Sequence, residues 1–417
     1  MTNRVVADHF CTELAMRRPI GFLLAVTLAG CAEQLPTASV SNAKPSMIVP
    51  QALRANLSSA SSVWSRQITG DTGPGALYAF FVPTNWNGDV VYYAHGIVDA
   101  ALPIALPTGD GFPDVRDALG ARGYAVAYSS FSENGWAVKE GAEATHQLRG
   151  LFNAQVGKPQ HSYLMGTSMG GLVAQNLAEK HAKQYDGTLA MCAPLGGAIE
   201  EVNYLANVRV LFDLFYPGVI PGDVLNVPAG LDLNTQVLGP AQAAVIANPT
   251  GLGIISRIDQ TPLAGINGTE LVTSLLYALA YDVRGIDDFL GRTHGHSMFD
   301  NSLPYKYTSA ALPANVLAGI NMGVGRFTAT PDALNYMEKY YVPDGKLDIP
   351  TVTLHTTRDP LVPFFHEAKF AGYVNNPSQL LQRSVDGYGH CAFSTTQMVD
   401  AFEALAQWAR TGVKPAA

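Results

Sequence analysis

Charge is scarce in this sequence, and basic charge in particular. Only 14% of the 417 residues are charged, and the 34 Asp and Glu residues outnumber the 26 Lys and Arg residues, for a formal net charge of −8. Nucleic-acid binding needs a basic surface, so no nucleic-acid partner is expected. Hydrophobic residues make up 47% of the chain, which excludes a mainly disordered protein and predicts a large buried core.

Long apolar runs are also missing. No stretch reaches the roughly 18 consecutive apolar residues of a membrane-spanning helix. The short run from Pro19 to Ala29 follows Arg17 and Arg18 and closes on Leu28-Ala29-Gly30-Cys31. A basic segment, an apolar segment and small residues, in that order, are typical of a secretory signal.

The end of this signal resembles a bacterial lipobox, in which the cysteine is lipidated and becomes the new N-terminus. We therefore predict a lipoprotein signal peptide over residues 1–31, with lipidation at Cys31. A lipid chain anchors a protein to the membrane without spanning it. With Ala32 after the cysteine, the sequence resembles lipoproteins that are sorted to the outer membrane of the bacterial cell envelope. The alternative is an ordinary signal peptide and a secreted protein.

Cysteine is rare, with four residues in the chain. If Cys11 is removed with the signal and Cys31 carries lipid, Cys192 and Cys391 remain. In an oxidising compartment these two can form a disulfide. Two buried free thiols are the alternative, and the cysteine count leaves both open.

The rest of the chain divides by composition and by the rhythm of its elements. After the signal, residues 32–62 are rich in Ser, Ala, Pro and Asn, which is typical of a flexible tether. Apolar strands and helices then alternate, which predicts a mostly parallel sheet covered by helices. The predicted segments are a first core part over 63–194, a largely helical inserted cap over 195–346 and a second core part over 347–417. Two early strands, Leu77 to Val82 and Val90 to Ala94, are predicted to form a hairpin.

The strongest motif is Gly166-Thr167-Ser168-Met169-Gly170-Gly171, between a predicted strand at His161 to Met165 and a predicted helix at Ser168 to Gln184. A G-x-S-x-G sequence between strand and helix is typical of a nucleophile elbow. Its glycines remove side chains that would collide with the strand or the helix. We predict that Ser168 is a nucleophile.

A serine hydroxyl needs a base to take its proton, and an acid to orient that base. His390, in Gly387-Tyr388-Gly389-His390 after the last predicted strand, is the predicted base. Asp359, after the predicted strand Ile349 to Leu354, is the predicted acid. The alternative role of Asp359 is to cap the next helix or to pair with Arg358. The fallback acids are Glu200, Glu201 and Asp213.

An oxyanion intermediate needs two backbone N–H donors. We predict that Met169, after the nucleophile, supplies one, helped by the helix N-terminus. Ile97, after the strand that ends in His95-Gly96, supplies the other, with Gly96 as the alternative. His95 is predicted to brace its loop rather than to act as a second base.

From about Leu77 to its end the chain resembles an α/β-hydrolase. The resemblance is carried by His95-Gly96, the elbow around Ser168, Arg358-Asp359-Pro360 and Gly389-His390. It implies a mostly parallel sheet flanked by helices, with the helical cap between the sixth and seventh strands. Feruloyl esterases and tannases also carry a cysteine after the histidine, bonded to one just before the nucleophile. Thr167 occupies that second place here, so if Cys391 pairs, its partner is Cys192, and the bond would brace the histidine loop.

The resemblance implies a serine esterase that acts on a small-molecule ester, and the apolar cap favours a hydrophobic or moderately large one. The alternatives are a serine peptidase, with Glu200 or Glu201 binding a substrate ammonium, and a non-catalytic lipoprotein that uses the fold for binding. No Walker or dinucleotide glycine pattern is present, so no cofactor is expected. His294 and His296 alone do not make a metal site, and no protein partner is predicted.

Overall fold

The computed structural model describes residues 63–73, 75–109, 111–307 and 312–416. The predicted signal peptide, the lipidation site at Cys31 and the tether over 32–62 lie outside these residues. Within the described ranges, no helix is long and apolar enough to cross a membrane.

The core is an eight-stranded sheet in the order β1-β2-β4-β3-β5-β6-β7-β8. The strands are β1 (Trp64–Asp71), β2 (Leu77–Pro83), β3 (Val90–Ala94), β4 (Ala125–Ser129), β5 (Ser162–Thr167), β6 (Gly187–Met191), β7 (Thr351–Arg358) and β8 (Leu380–Tyr388). β2 is antiparallel to both of its neighbours, whereas all pairs from β4 to β8 are parallel. Short, wholly buried strands such as β3 and β5 are typical of a parallel sheet covered on both faces.

Helices cover the sheet on both faces. The α-helices of the described residues are α1 (Phe112–Ala121), α2 (Val138–Gln155), α3 (Met169–Lys180), α4 (Ala198–Phe215), α5 (Gly239–Ala247), α6 (Thr250–Ile255), α7 (Gly268–Arg292), α8 (Ala314–Gly323), α9 (Pro331–Tyr341), α10 (Phe365–Tyr373) and α11 (Thr395–Thr411). Tyr92 of β3 packs into one hydrophobic cluster with Phe152 of α2, and its neighbour Tyr93 packs into the other with Phe402 of α11. This alternation follows from the strand period of two. The strand order of the sheet and the helices on both of its faces confirm the predicted α/β-hydrolase fold.

The predicted hairpin is wrong. β2 pairs with β1 and β4, and β4 separates it from β3. The turn between β2 and β3 packs instead against the loop that leads into β4, with the Asn87 N–H donating to the Gly123 carbonyl at 2.9 Å. A local turn signal predicts that the chain reverses its direction, but it does not predict which strand lies next to β2 in the sheet. Strand β1 was not predicted, because its mostly polar, partly exposed edge sequence lacks an apolar run.

The chain from α4 to α9 lies between β6 and β7 and is largely helical. It brings two side chains to the nucleophile, because Glu201 of α4 and Tyr281 of α7 line the same cavity as Ser168. This segment therefore contributes to the candidate site as well as to the core.

Candidate active site

Ser168 lies in a strained turn between β5 and α3. Its backbone φ is 55° and its ψ is −128°, a conformation that costs a non-glycine residue on the order of 1–3 kcal/mol. The Ser168 N–H donates to the Met191 carbonyl of β6 at 2.8 Å, which holds the turn against the sheet. The helix therefore begins one residue later than predicted, and the hydroxyl stands at its N-terminus.

The glycines around Ser168 are required by close approach. A Cβ on Gly166 would overlap the backbone of Gly170, and a Cβ on Gly170 would overlap the carbonyl of Ala94. A Cβ on Gly171 would press on that of Ala193 at 2.6 Å. Backbone cannot yield as a flexible side chain can, so the first two positions tolerate glycine alone.

The structure brings Ser168, His390 and Asp359 together. His390 Nε2 lies 2.9 Å from the Ser168 Oγ, and His390 Nδ1 lies 2.8 Å and 3.0 Å from the two carboxylate oxygens of Asp359. A carboxylate only accepts hydrogen bonds, so Nδ1 carries the proton and Nε2 accepts the serine O–H. This is the geometry of a nucleophile, a base and an orienting acid.

Asp359 is fully buried, and its partners argue against the alternative pairing. Its Oδ1 accepts the N–H groups of Leu361 and Val362, both at 2.9 Å, which fixes the carboxylate in the turn after β7. Arg358 pairs instead with Asp386 at 3.0 Å. The first residue of α10 is Phe365, so Asp359 closes a turn rather than capping that helix.

A second histidine lies behind the acid. His355 Nε2 donates to the Val362 carbonyl at 2.9 Å and lies 3.7 Å from Asp359 Oδ2, while its Nδ1 lies 3.2 Å from Glu367 Oε1. Burial alone would lower the pKa of His355, but the hydrogen bond to Glu367 and the charges of Glu367 and Asp359 outweigh it, and the pKa is raised. His355 is buried in β7, and its spacing of four residues from Asp359 is a sequence signal that could have related it to the site.

The predicted oxyanion donors lie at the nucleophile. Met169 is the first residue of α3, and the first amides of a helix have no acceptor within it. Ile97, Met169 and Ser168 line one cavity. His95 is buried, stacks on Phe131 with ring centroids 3.8 Å apart, and donates from Nδ1 to the Gly96 carbonyl at 2.7 Å, as a residue that braces the loop would.

Cys192 and Cys391 form a disulfide with their Cα atoms 5.3 Å apart. It ties the end of β6 to the residue after His390. Together with His390 these sulfurs are the one group of three metal-ligand atoms found close together in the described part of the chain, but bonded sulfurs are not free thiolates. His294 and His296 belong to no such group.

The three fallback acids have other partners. Glu200 forms an ion pair with Lys369 at 2.6 Å, and Asp213 pairs with Arg209 at 2.9 Å. Glu201 is fully buried and accepts a hydrogen bond from His366 Nε2 at 2.9 Å. None of the three contacts His390 by a hydrogen bond, as Asp359 does.

No protein-family model and no curated protein matches this chain. Solved structures do resemble it. Feruloyl esterase B from Aspergillus oryzae has 14% sequence identity and a TM-score of 0.47, over 84% of this chain and 80% of that one. A further esterase from Aspergillus oryzae has 16% identity and a TM-score of 0.44 over the same shares. The rice cell wall degrading esterase LipA from Xanthomonas oryzae has 15% identity and a TM-score of 0.41, over 80% of this chain and 86% of that one.

Proposed function

We propose that the protein is a serine hydrolase of carboxylic esters. The observation that carries the proposal is the continuous hydrogen-bonded line from Ser168 Oγ through His390 to Asp359. A serine hydroxyl held in a strained elbow and bonded to an oriented imidazole is suited to acyl transfer.

The proposed reaction proceeds through an acyl-enzyme. Ser168 Oγ attacks the ester carbonyl while His390 Nε2 takes its proton, and the Asp359 carboxylate stabilises the imidazolium. The Met169 and Ile97 amides donate to the oxyanion, and one such donor is worth on the order of 10²–10³ in rate. His390 then protonates the leaving alcohol. Water, deprotonated by His390, releases the acid and restores the serine.

An ester is favoured over a peptide by the state of the acidic residues. A peptidase that binds the substrate ammonium needs a free carboxylate near the nucleophile. Glu200 is held by Lys369. Burial raises the pKa of Glu201 well above its ordinary value, and the charge of Asp359 raises it further, so this carboxyl is disfavoured as an anion.

The test compares wild type with Ser168→Ala and the matched control Ser302→Ala, since Ser302 is exposed and bonds within its own turn to Asp300. We expect wild type and the control to hydrolyse p-nitrophenyl butyrate and to react with a fluorophosphonate probe, and Ser168→Ala to do neither. Equal hydrolysis by Ser168→Ala would refute the mechanism. Folded wild type that the probe does not label would favour the non-catalytic alternative.

We further propose that Cys31 is lipidated and anchors the enzyme in the bacterial cell envelope. The support is the lipobox-like sequence before Cys31. In a bacterial host grown with labelled palmitate, the full chain should take up label and sediment with membranes, and Cys31→Ser should not. Label on the Cys31→Ser protein would contradict this anchor.

A further inference from the structure

A buried carboxyl group lies in the cavity of the nucleophile and has no part in the reaction above. Glu201, in the first turn of α4, is fully buried and lines the cavity with Ser168 and Met169. Its Oε2 accepts from His366, but its Oε1 has no hydrogen-bond partner among the described residues. An unpaired buried polar atom is unfavourable, so a bound group that pairs with Oε1 gains affinity.

The partners of Glu201 fix where its proton lies. His366 Nδ1 accepts the Gly196 N–H at 3.1 Å, so the single ring proton of His366 is on Nε2, and burial lowers the pKa of His366 well below its ordinary value. Glu201 therefore faces a neutral imidazole. Burial and the charge of Asp359 raise the pKa of Glu201, and burial also raises that of Tyr204. Because Oε2 accepts from His366, a proton bound by Glu201 is on Oε1.

Most of the remaining cavity wall is apolar, although Trp136 also has a buried indole N–H with no hydrogen-bond partner among the described residues. Apart from Ser168, Glu201 and Tyr281, the lining side chains are apolar or aromatic: Ile97, Trp136, Met169, Pro194, Leu361 and Val362. Such a site holds an apolar group and orients it by a few well-placed polar contacts. A wholly apolar substrate would leave the Glu201 donor unpaired.

Building on the proposed ester hydrolysis, we propose that Glu201 is a specificity-determining residue whose Oε1–H donates a hydrogen bond to an oxygen of the substrate. The preferred substrate class is an ester that carries a neutral oxygen acceptor, such as a hydroxyl, near the scissile bond. This differs from the wholly hydrophobic ester that the apolar cap favours. It also differs from an aminoacyl substrate, which would require Glu201 as an anion.

The experiment uses the full chain and three p-nitrophenyl esters of similar shape. The acids are 3-methylbutyrate, 3-hydroxybutyrate and 3-aminobutyrate, so a methyl, a hydroxyl or an ammonium group stands at the same carbon of the acyl chain. Isobutyl butyrate and 2-hydroxypropyl butyrate make the same comparison on the alcohol side. In one of the two series, kcat/KM of the wild type for the hydroxyl ester should exceed that for the methyl ester by roughly ten- to a hundredfold.

Two substitutions separate a neutral donor from an anion. Glu201→Gln places a carbonyl toward His366 and an N–H donor in the cavity, and should keep the hydroxyl preference. Glu201→Met has similar length and no donor, and should lose the preference while still hydrolysing the methyl ester. Glu200→Met is the matched control, since Glu200 is partly exposed and paired with Lys369, and should behave as wild type. If Glu201→Met fails to fold, the wild-type comparison still tests the hydroxyl preference, and Glu201→Gln still separates a neutral donor from an anion, because an anionic site would lose its ligand on this change.

Other outcomes overturn the inference. Wild type that hydrolyses the methyl esters but shows no hydroxyl preference in either series overturns it and leaves the proposed function standing. A preference for the 3-aminobutyrate ester that Glu201→Gln abolishes also overturns the inference. A hydroxyl preference that survives in folded Glu201→Met overturns it as well. Wild type that hydrolyses none of the esters overturns the inference and the proposed function together.

Discussion

Removing the disulfide should lower both stability and activity. The bond between Cys192 and Cys391 closes a loop with a sequence separation of 199. Cross-linking a loop of that length lowers the entropy of the unfolded chain, which stabilises the folded state by at most about 5 kcal/mol at 25 °C. Disulfides typically contribute about 2–4 kcal/mol. For a folded region of roughly 350 residues, these values correspond to a fall in Tm of about 3–7 °C.

The activity should fall because of where the bond lies. Cys391 is adjacent to His390, and both cysteines have positive φ angles, 44° at Cys192 and 50° at Cys391. Such non-glycine conformations persist only when the surroundings hold them. Without the bond, the loop relaxes and the 2.9 Å contact from His390 to Ser168 lengthens. A misplacement of about 1 Å costs up to about 10² in rate.

The assay measures thermal unfolding and p-nitrophenyl butyrate hydrolysis for wild type and Cys192→Ala/Cys391→Ala, each with and without dithiothreitol. Reduction should bring wild type close to the double variant and leave the double variant unchanged. If wild type keeps its Tm and kcat after complete reduction, shown by thiol titration, the disulfide braces neither the fold nor the histidine loop.

Three further changes test the elbow, the acid and the residue behind it. Gly166→Ala should lose about 2–4 kcal/mol in denaturant unfolding, because its Cβ would overlap the Gly170 backbone, whereas Gly150→Ala, in open space on α2, should be neutral or slightly stabilising. Asp359→Asn should lower kcat by on the order of 10⁴ in a folded chain; unchanged kcat would remove Asp359 from the mechanism. The raised pKa of His355 means that its protonation stabilises the fold at pH values below about 6.5, and that this stability is lost as pH rises through the folded-state pKa. His355→Gln should remove that part of the pH dependence of unfolding, and identical pH profiles would show that His355 does not titrate in this way.

Local signals were enough for most of the elements. The continuous apolar strands reflect burial, and the glycines of the elbow reflect close backbone approach. Both requirements restrict residues that are neighbours in the sequence, so they can be recognised from the sequence. The pairing of one strand with another does not restrict neighbouring residues in this way, so it cannot be recognised from a local pattern. The sequence therefore predicted strands β2 and β3 individually but made them neighbours, although β4 lies between them, and it missed the polar edge strand β1.

The same distinction holds for the site. By itself, the sequence determined the residue types and chain order of Ser168, Asp359 and His390, because each follows a strand and parallel strands end at one edge of the sheet. Only the tertiary structure decided that Cys192 reaches Cys391, that His355 lies behind the acid and that Glu201 lines the cavity of the nucleophile with one oxygen unpaired. Those contacts join residues whose side-chain directions depend on how helices and strands pack, and packing is a property of the assembled core rather than of any local run of residues.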